Sequence, residues 1–143
     1  MKKYFSLSSL VGFMFATSNA FAVLPATAPA LPAGSKVAFT EPKDGATVPA
    51  KFTAKFSLAG LKIEKAGPLK PGTGHHHLIV DGTATPAGEV LAKDATHLHF
   101  GNGQTEAELT LAPGKHTLTL QFADGAHMSY GPAMSQTITV NVK

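Results

Sequence analysis

The chain has 143 residues, twelve lysines, nine carboxylates and a formal charge of +3 with histidine neutral. It contains no arginine; arginine is the usual reader of phosphates and base edges, so the composition argues against a nucleic-acid partner. It also contains no cysteine, which excludes disulfide staples, thiolate metal sites and cysteine nucleophiles, and leaves packing alone to hold the fold.

Lys2 and Lys3 precede an apolar run from Tyr4 to about Ala16, and Ala20-Phe21-Ala22 has the small-x-small form of a signal-peptidase site. Residues 1–22 are therefore expected to be a cleaved secretory signal, with the bacterial periplasm as destination. The run falls short of the ~20 apolar residues that a spanning helix needs, so no stable membrane anchor is expected after cleavage. Without Lys2 and Lys3, ten lysines face nine carboxylates and the charge drops to about +1. Residues 23–35 are rich in Pro and Ala and uncharged, the composition of an extended linker.

From 36 to 143 the pattern becomes short alternating runs punctuated by Gly and Pro. Val37 and Phe39 share one face. Phe52, Ala54, Phe56 and Leu58 alternate with Lys51, Thr53, Lys55 and Ser57. Leu78 and Val80 follow a histidine triplet. Ala107, Leu109 and Leu111 alternate with Glu106, Glu108 and Thr110; Leu118, Leu120 and Phe122 with Thr117, Thr119 and Gln121; and Ile138, Val140 and Val142 close the chain. Period-two runs at this spacing predict an all-β fold, an immunoglobulin-like antiparallel β-sandwich in one domain. The stretches "EPKDGATVP" and "APGK" read as turns. Reading "APGK" (112–115) as a hairpin pairs Leu111 with His116 and points His116 to the core side. A tight hairpin at Asn102-Gly103 pairs His99 with Glu106 and His97 with Glu108, with Leu98 and Phe100 inward.

All seven histidines fall after residue 74. Two His-x-His pairs, 75/77 and 97/99, each place two imidazoles on one strand face about 6–7 Å apart. Neutral imidazole suits copper and zinc better than hard cations. The first candidate ligand set is His75, His77, His97 and His99, with Glu106 and Gln104 as supporting groups. The second set is His76, His116 and His127, which share the core-side parity or lie in the last loop. Met128 and Met134 in that loop would favour Cu(I) if they joined. No zincin helix, nucleophile elbow or phosphate loop is present.

"GHHHLIVD" (74–81), "HLHFGNGQTEAELTLAPGKHTLTLQFADGAH" (97–127) and "PAMSQTITVNV" (132–142) resemble the bacterial exported family labelled domain of unknown function 4399. The resemblance places His75, His76, His77, His99, Gly101, Gly103, Gln104, Thr105, Glu106, Gly114, His116, Asp124 and His127 at the family's motif positions. It implies an exported single domain and assigns no activity. The functional expectation is a periplasmic histidine-rich module that handles copper or zinc without turnover. The alternative is a metal-free structural or interaction sandwich with a polar His/Gln/Glu network, and a small metalloenzyme is a more distant third.

Overall fold

The computed structural model describes residues 31–143. The expected signal segment, 1–22, and the linker up to residue 30 lie outside the described residues. Nine strands are present among the described residues: β1 (Lys36–Glu41), β2 (Ala46–Val48), β3 (Lys51–Ala59), β4 (Lys62–Ile63), β5 (Thr73–Val80), β6 (His97–His99), β7 (Glu106–Thr110), β8 (Gly114–Ala123) and β9 (Ser135–Val142). They form a three-stranded sheet of order β1-β3-β7 and a larger sheet of order β2-β9-β8-β5-β4, with β6 also paired to β5. The first strand position is split: β1 runs antiparallel to β3 in one sheet, and β2 runs parallel to β9 in the other. With β3 and β7 on one side and β5, β8 and β9 on the other, the chain is an immunoglobulin-like β-sandwich.

The alternating runs set the layers. Ala54 and Phe56 of β3 are buried while Lys51, Thr53, Lys55 and Ser57 are exposed. Phe39 meets Phe56 edge-on at 5.8 Å, and Leu109, Leu118, Leu120, Phe122, Ile138, Val140 and Val142 fill the space between the sheets. Each such side chain contributes ~1.5–3 kcal/mol by leaving water. Leu31, at the end of the linker, also packs against this core.

Two expected hairpins are instead crossings between the sheets. After β6, Phe100 donates its N–H to the His76 carbonyl in the larger sheet, and Phe56 of the smaller sheet donates to the Thr105 carbonyl. Residues 101–104 therefore span the gap, and Gly103 takes φ 80° at the bend. His99 lies opposite His77, whereas Glu106 lies opposite Lys55. Likewise Leu111 donates to Ala50 in the smaller sheet, while Gly114 already pairs with Val142 in the larger one. His116 pairs with Val140 rather than with Leu111. Turn residues record that the chain reverses, and a sandwich can satisfy the reversal in either sheet. The inward facing of Phe100 nevertheless holds, since its ring lies 5.3 Å from Phe56. The segment read as one turn, 41–49, contains β2, whose Val48 is buried beside β9.

Candidate metal centre

Strand alternation divides the 75–77 triplet between the two faces of β5. His76 points inward, with its ring 5.5 Å from Phe56 and 5.2 Å from Phe122. His75 and His77 point to the outer face of the larger sheet, a face that commonly meets water in antiparallel sheets. Here both are buried, because the β5–β6 connection and the loop after β8 lie across that face. Thr119 Oγ1 donates to the Gly82 carbonyl at 3.0 Å, the Thr85 N–H donates to Gln121 Oε1 at 2.9 Å, and Gln121 Nε2 donates to the Gly131 carbonyl at 2.9 Å. The two covering segments are tied to each other by Leu91 N–H to the His127 carbonyl (3.0 Å), Gly88 N–H to Ser129 (2.9 Å) and Ser129 N–H to Glu89 (2.8 Å).

Four imidazoles meet at this cover: His75 and His77 are buried beneath it, His127 is partly buried and His99 is exposed at its edge. β6 sets His99 across from His77. His127 arrives on a turn built by Asp124, whose Oδ1 accepts the N–H groups of Ala126 (2.9 Å) and Met128 (3.0 Å) and whose carbonyl accepts that of His127 (3.0 Å). His127 thereby adopts φ 68°, the left-handed conformation, in which a non-glycine residue is held only by such local bonding. The Nε2 atoms of His77 and His75 are 3.0 Å apart, those of His99 and His75 3.1 Å, and those of His127 and His99 3.0 Å. One ligand atom from each of His75, His77 and His99 lies within 4.8 Å of the others; His127 reaches this trio through His99. A Cβ at Gly101 would fall on the far end of the His99 ring, so a larger residue there displaces that ring.

Burial pushes the His75 ring down to about 4 and the His77 ring down to about 3, with neighbouring imidazoles adding to it. Burial also lowers His99, followed by His127 and by Lys93. These three rings are therefore neutral near pH 7, with a lone pair on one nitrogen each. A neutral Nε2 holds either one hydrogen or one lone pair, yet the Nε2 atoms of His75 and His99 each face two neighbours. One hydrogen cannot make two linear bonds, and the buried Nδ1 atoms of His75 and His77 have no partner among the described residues. A cation at the meeting point would take the lone pairs together. Zinc–nitrogen bonds of 2.0–2.1 Å in a tetrahedron put ligand nitrogens about 3.3 Å apart, close to the 3.0–3.1 Å of the three successive pairs and inside the 4.8 Å that bounds the trio.

Over the cluster opens a pocket of about 320 Å³, lined by His77, His99, His127, Ala66, Val90, Leu91, Ala92 and Lys93.

The family model described as Domain of unknown function (DUF4399) matches residues 54–143. The chain belongs to the DUF4399 family. No curated protein and no solved structure matches the chain. All four clustered histidines of this DUF4399 domain lie inside the matched segment.

The structure cuts across both expected ligand sets. It brings together His75, His77 and His99 of the first set and adds His127 of the second. His97 stays apart: it sits further along β6, opposite Ile79, and its Nδ1 donates to Asp94 Oδ1 at 2.9 Å. His76 belongs to the core. His116 lies near the start of β8, donating from Nδ1 to Asp81 Oδ2 at 2.7 Å and from Nε2 to the Ala112 carbonyl at 2.9 Å. Both partners are acceptors, so they satisfy both N–H groups of the protonated ring; the Asp81 bond and then the Ala112 bond raise the His116 pKa. Neither expected supporting group bonds to an imidazole. Glu106 faces out from β7 opposite Lys55, and Gln104 Oε1 accepts the Asn102 N–H at 2.9 Å. Met134 is buried in the core. The membership of His127 was signalled only by its spacing from Asp124, three residues before it, which suits an Asx-type turn.

Proposed function

We propose that this DUF4399 protein is a periplasmic metal-binding module that holds copper or zinc on His75, His77 and His99, with His127 beside the fourth position. The observation that carries this reading is the convergence of three neutral imidazole nitrogens within 4.8 Å of one another. An all-imidazole donor set suits zinc and copper and is poor for magnesium or calcium. The absence of a nucleophile or acid/base motif supports metal handling rather than turnover, and the signal-like residues 1–22 support export. The test is calorimetric titration of the untagged protein with Zn²⁺ and Cu²⁺, with elemental analysis of protein taken from its native compartment. Binding at micromolar concentration or tighter is expected. Failure of both metals to bind at that level would leave the imidazoles as a metal-free polar network.

A further inference from the structure

The pocket above the imidazoles carries an unbalanced charge once a metal is present. Imidazole ligands bring no negative charge to a divalent cation, and no carboxylate lines the pocket. Its single charged side chain is Lys93, which forms no ion pair among the described residues, where the lysine pairs are Lys51–Glu108, Lys55–Glu41 and Lys70–Glu64. The Asp124 carboxylate acts on His75 from the side of the turn that presents His127, where its Oδ1 accepts two N–H groups, and it does not line the pocket. The remaining walls, Ala66, Val90, Leu91 and Ala92, are apolar, and Val90 is left 65% exposed. A cation and an ammonium side by side against apolar walls are stabilised by an anion between them.

We propose that the metal-loaded pocket binds a small monocarboxylate, its carboxylate between the metal and the Lys93 ammonium and its alkyl chain against Val90, Leu91 and Ala92. The inference rests on the metal reading above. One ammonium matches one negative charge, and the chain has no arginine to grip a phosphate in two-point fashion. A volume of about 320 Å³ is at the small end of ligand pockets, which favours a short chain over a long one.

The experiment loads the protein with Cu²⁺ and titrates it with butyrate and with acetate, reading the copper d–d absorption. Both anions should shift the band saturably. Butyrate should bind roughly tenfold tighter than acetate, the difference expected from two further buried methylenes. Lys93→Gln should weaken both anions at least about fivefold without lowering copper affinity, from loss of one close opposite charge. Val90→Ser should weaken butyrate and leave acetate unchanged. If copper binds but neither anion shifts the band, or if Lys93→Gln responds like the parent protein, the carboxylate proposal is overturned while the metal site stands. If copper itself does not bind, both fall.

Discussion

Three consecutive histidines occupy β5, and the two faces of the strand treat the same side chain in opposite ways. On the outer face, His75 and His77 meet His99 and His127 nitrogen to nitrogen. On the inner face, His76 lies between Phe56 and Phe122 with neither ring nitrogen bonded. Burial depresses the basicity of all three, so desolvation does not separate a ligand from a core residue. What separates them is the company of other lone pairs. A third environment differs again: at His116 a carboxylate and a carbonyl favour the protonated ring and raise its pKa.

The largest test of this contrast is metal affinity. Structural zinc sites bind with ~10–16 kcal/mol over about four ligands, so His75→Ala or His99→Ala should lower zinc affinity on the order of a hundredfold. His97→Ala and His116→Ala should change it by less than about twofold, because neither side chain touches the cluster. Calorimetry on the four variants checks the ranking. An equal loss in the His97 and His99 variants would show that the whole β6 strand, rather than one ring, carries the site.

Next in size is the inner histidine. Replacing a buried, unbonded polar ring by an alkyl group removes its desolvation cost, so His76→Leu should stabilise the metal-free protein by about 1–3 kcal/mol at pH 7 in urea unfolding. Its pKa is lowered from the ordinary 6.5 to about 4 on folding. The unfolded chain therefore takes a proton that the folded one refuses, and stability falls as pH drops from 6.5 towards 4. His76→Leu should remove about 1.4 kcal/mol per pH unit of that fall, the amount one group carries. An unchanged acid slope would mean that water reaches this ring in solution.

Gly101→Ala tests the close fit of the outer cluster. A methyl group at that position meets the far end of the exposed His99 ring, which can turn aside, so the cost in stability should stay under about 1 kcal/mol. Zinc affinity should fall with it as the ring is displaced, whereas Gly45→Ala, with open space around its Cβ, should leave zinc affinity as it was.

The smallest effect belongs to His116 and Asp81. The imidazolium is raised and the carboxylate lowered by their contact. The His116 contribution is complete below its ordinary pKa of about 6.5 and lost as pH rises through the raised value; that of Asp81 is complete above about 4 and lost as pH falls through the lowered one. Between those limits Asp81→Asn should cost under about 1 kcal/mol, because the carboxylate is half exposed and screened. Thermal melts at pH 5.5 and pH 9 should show the cost at the lower pH and a smaller one at the higher.

Much of this architecture was legible in the order of residues. The alternation of Phe52 to Leu58 and of Leu118 to Phe122 placed those side chains inward, and the same parity separated His76 from His75 and His77. Pairing was less legible. Gly-Asn-Gly and Ala-Pro-Gly-Lys have hairpin chemistry, yet both segments carry the chain from one sheet to the other, so the glutamates expected beside His97 and His99 lie in the smaller sheet. His127 lies in the last loop, where no strand parity tells which face it joins; its place is set by the turn at Asp124.

The sequence alone determined the class of fold, the split of the histidine triplet and the exclusion of thiolate from any transition-metal site, because side-chain parity and the absence of cysteine are local properties. The tertiary structure decided that the outer face of β5 is buried and which four histidines meet there. Those outcomes depend on the 82–95 connection and the Asp124 loop folding back over the sheet, long-range contacts that no local period encodes.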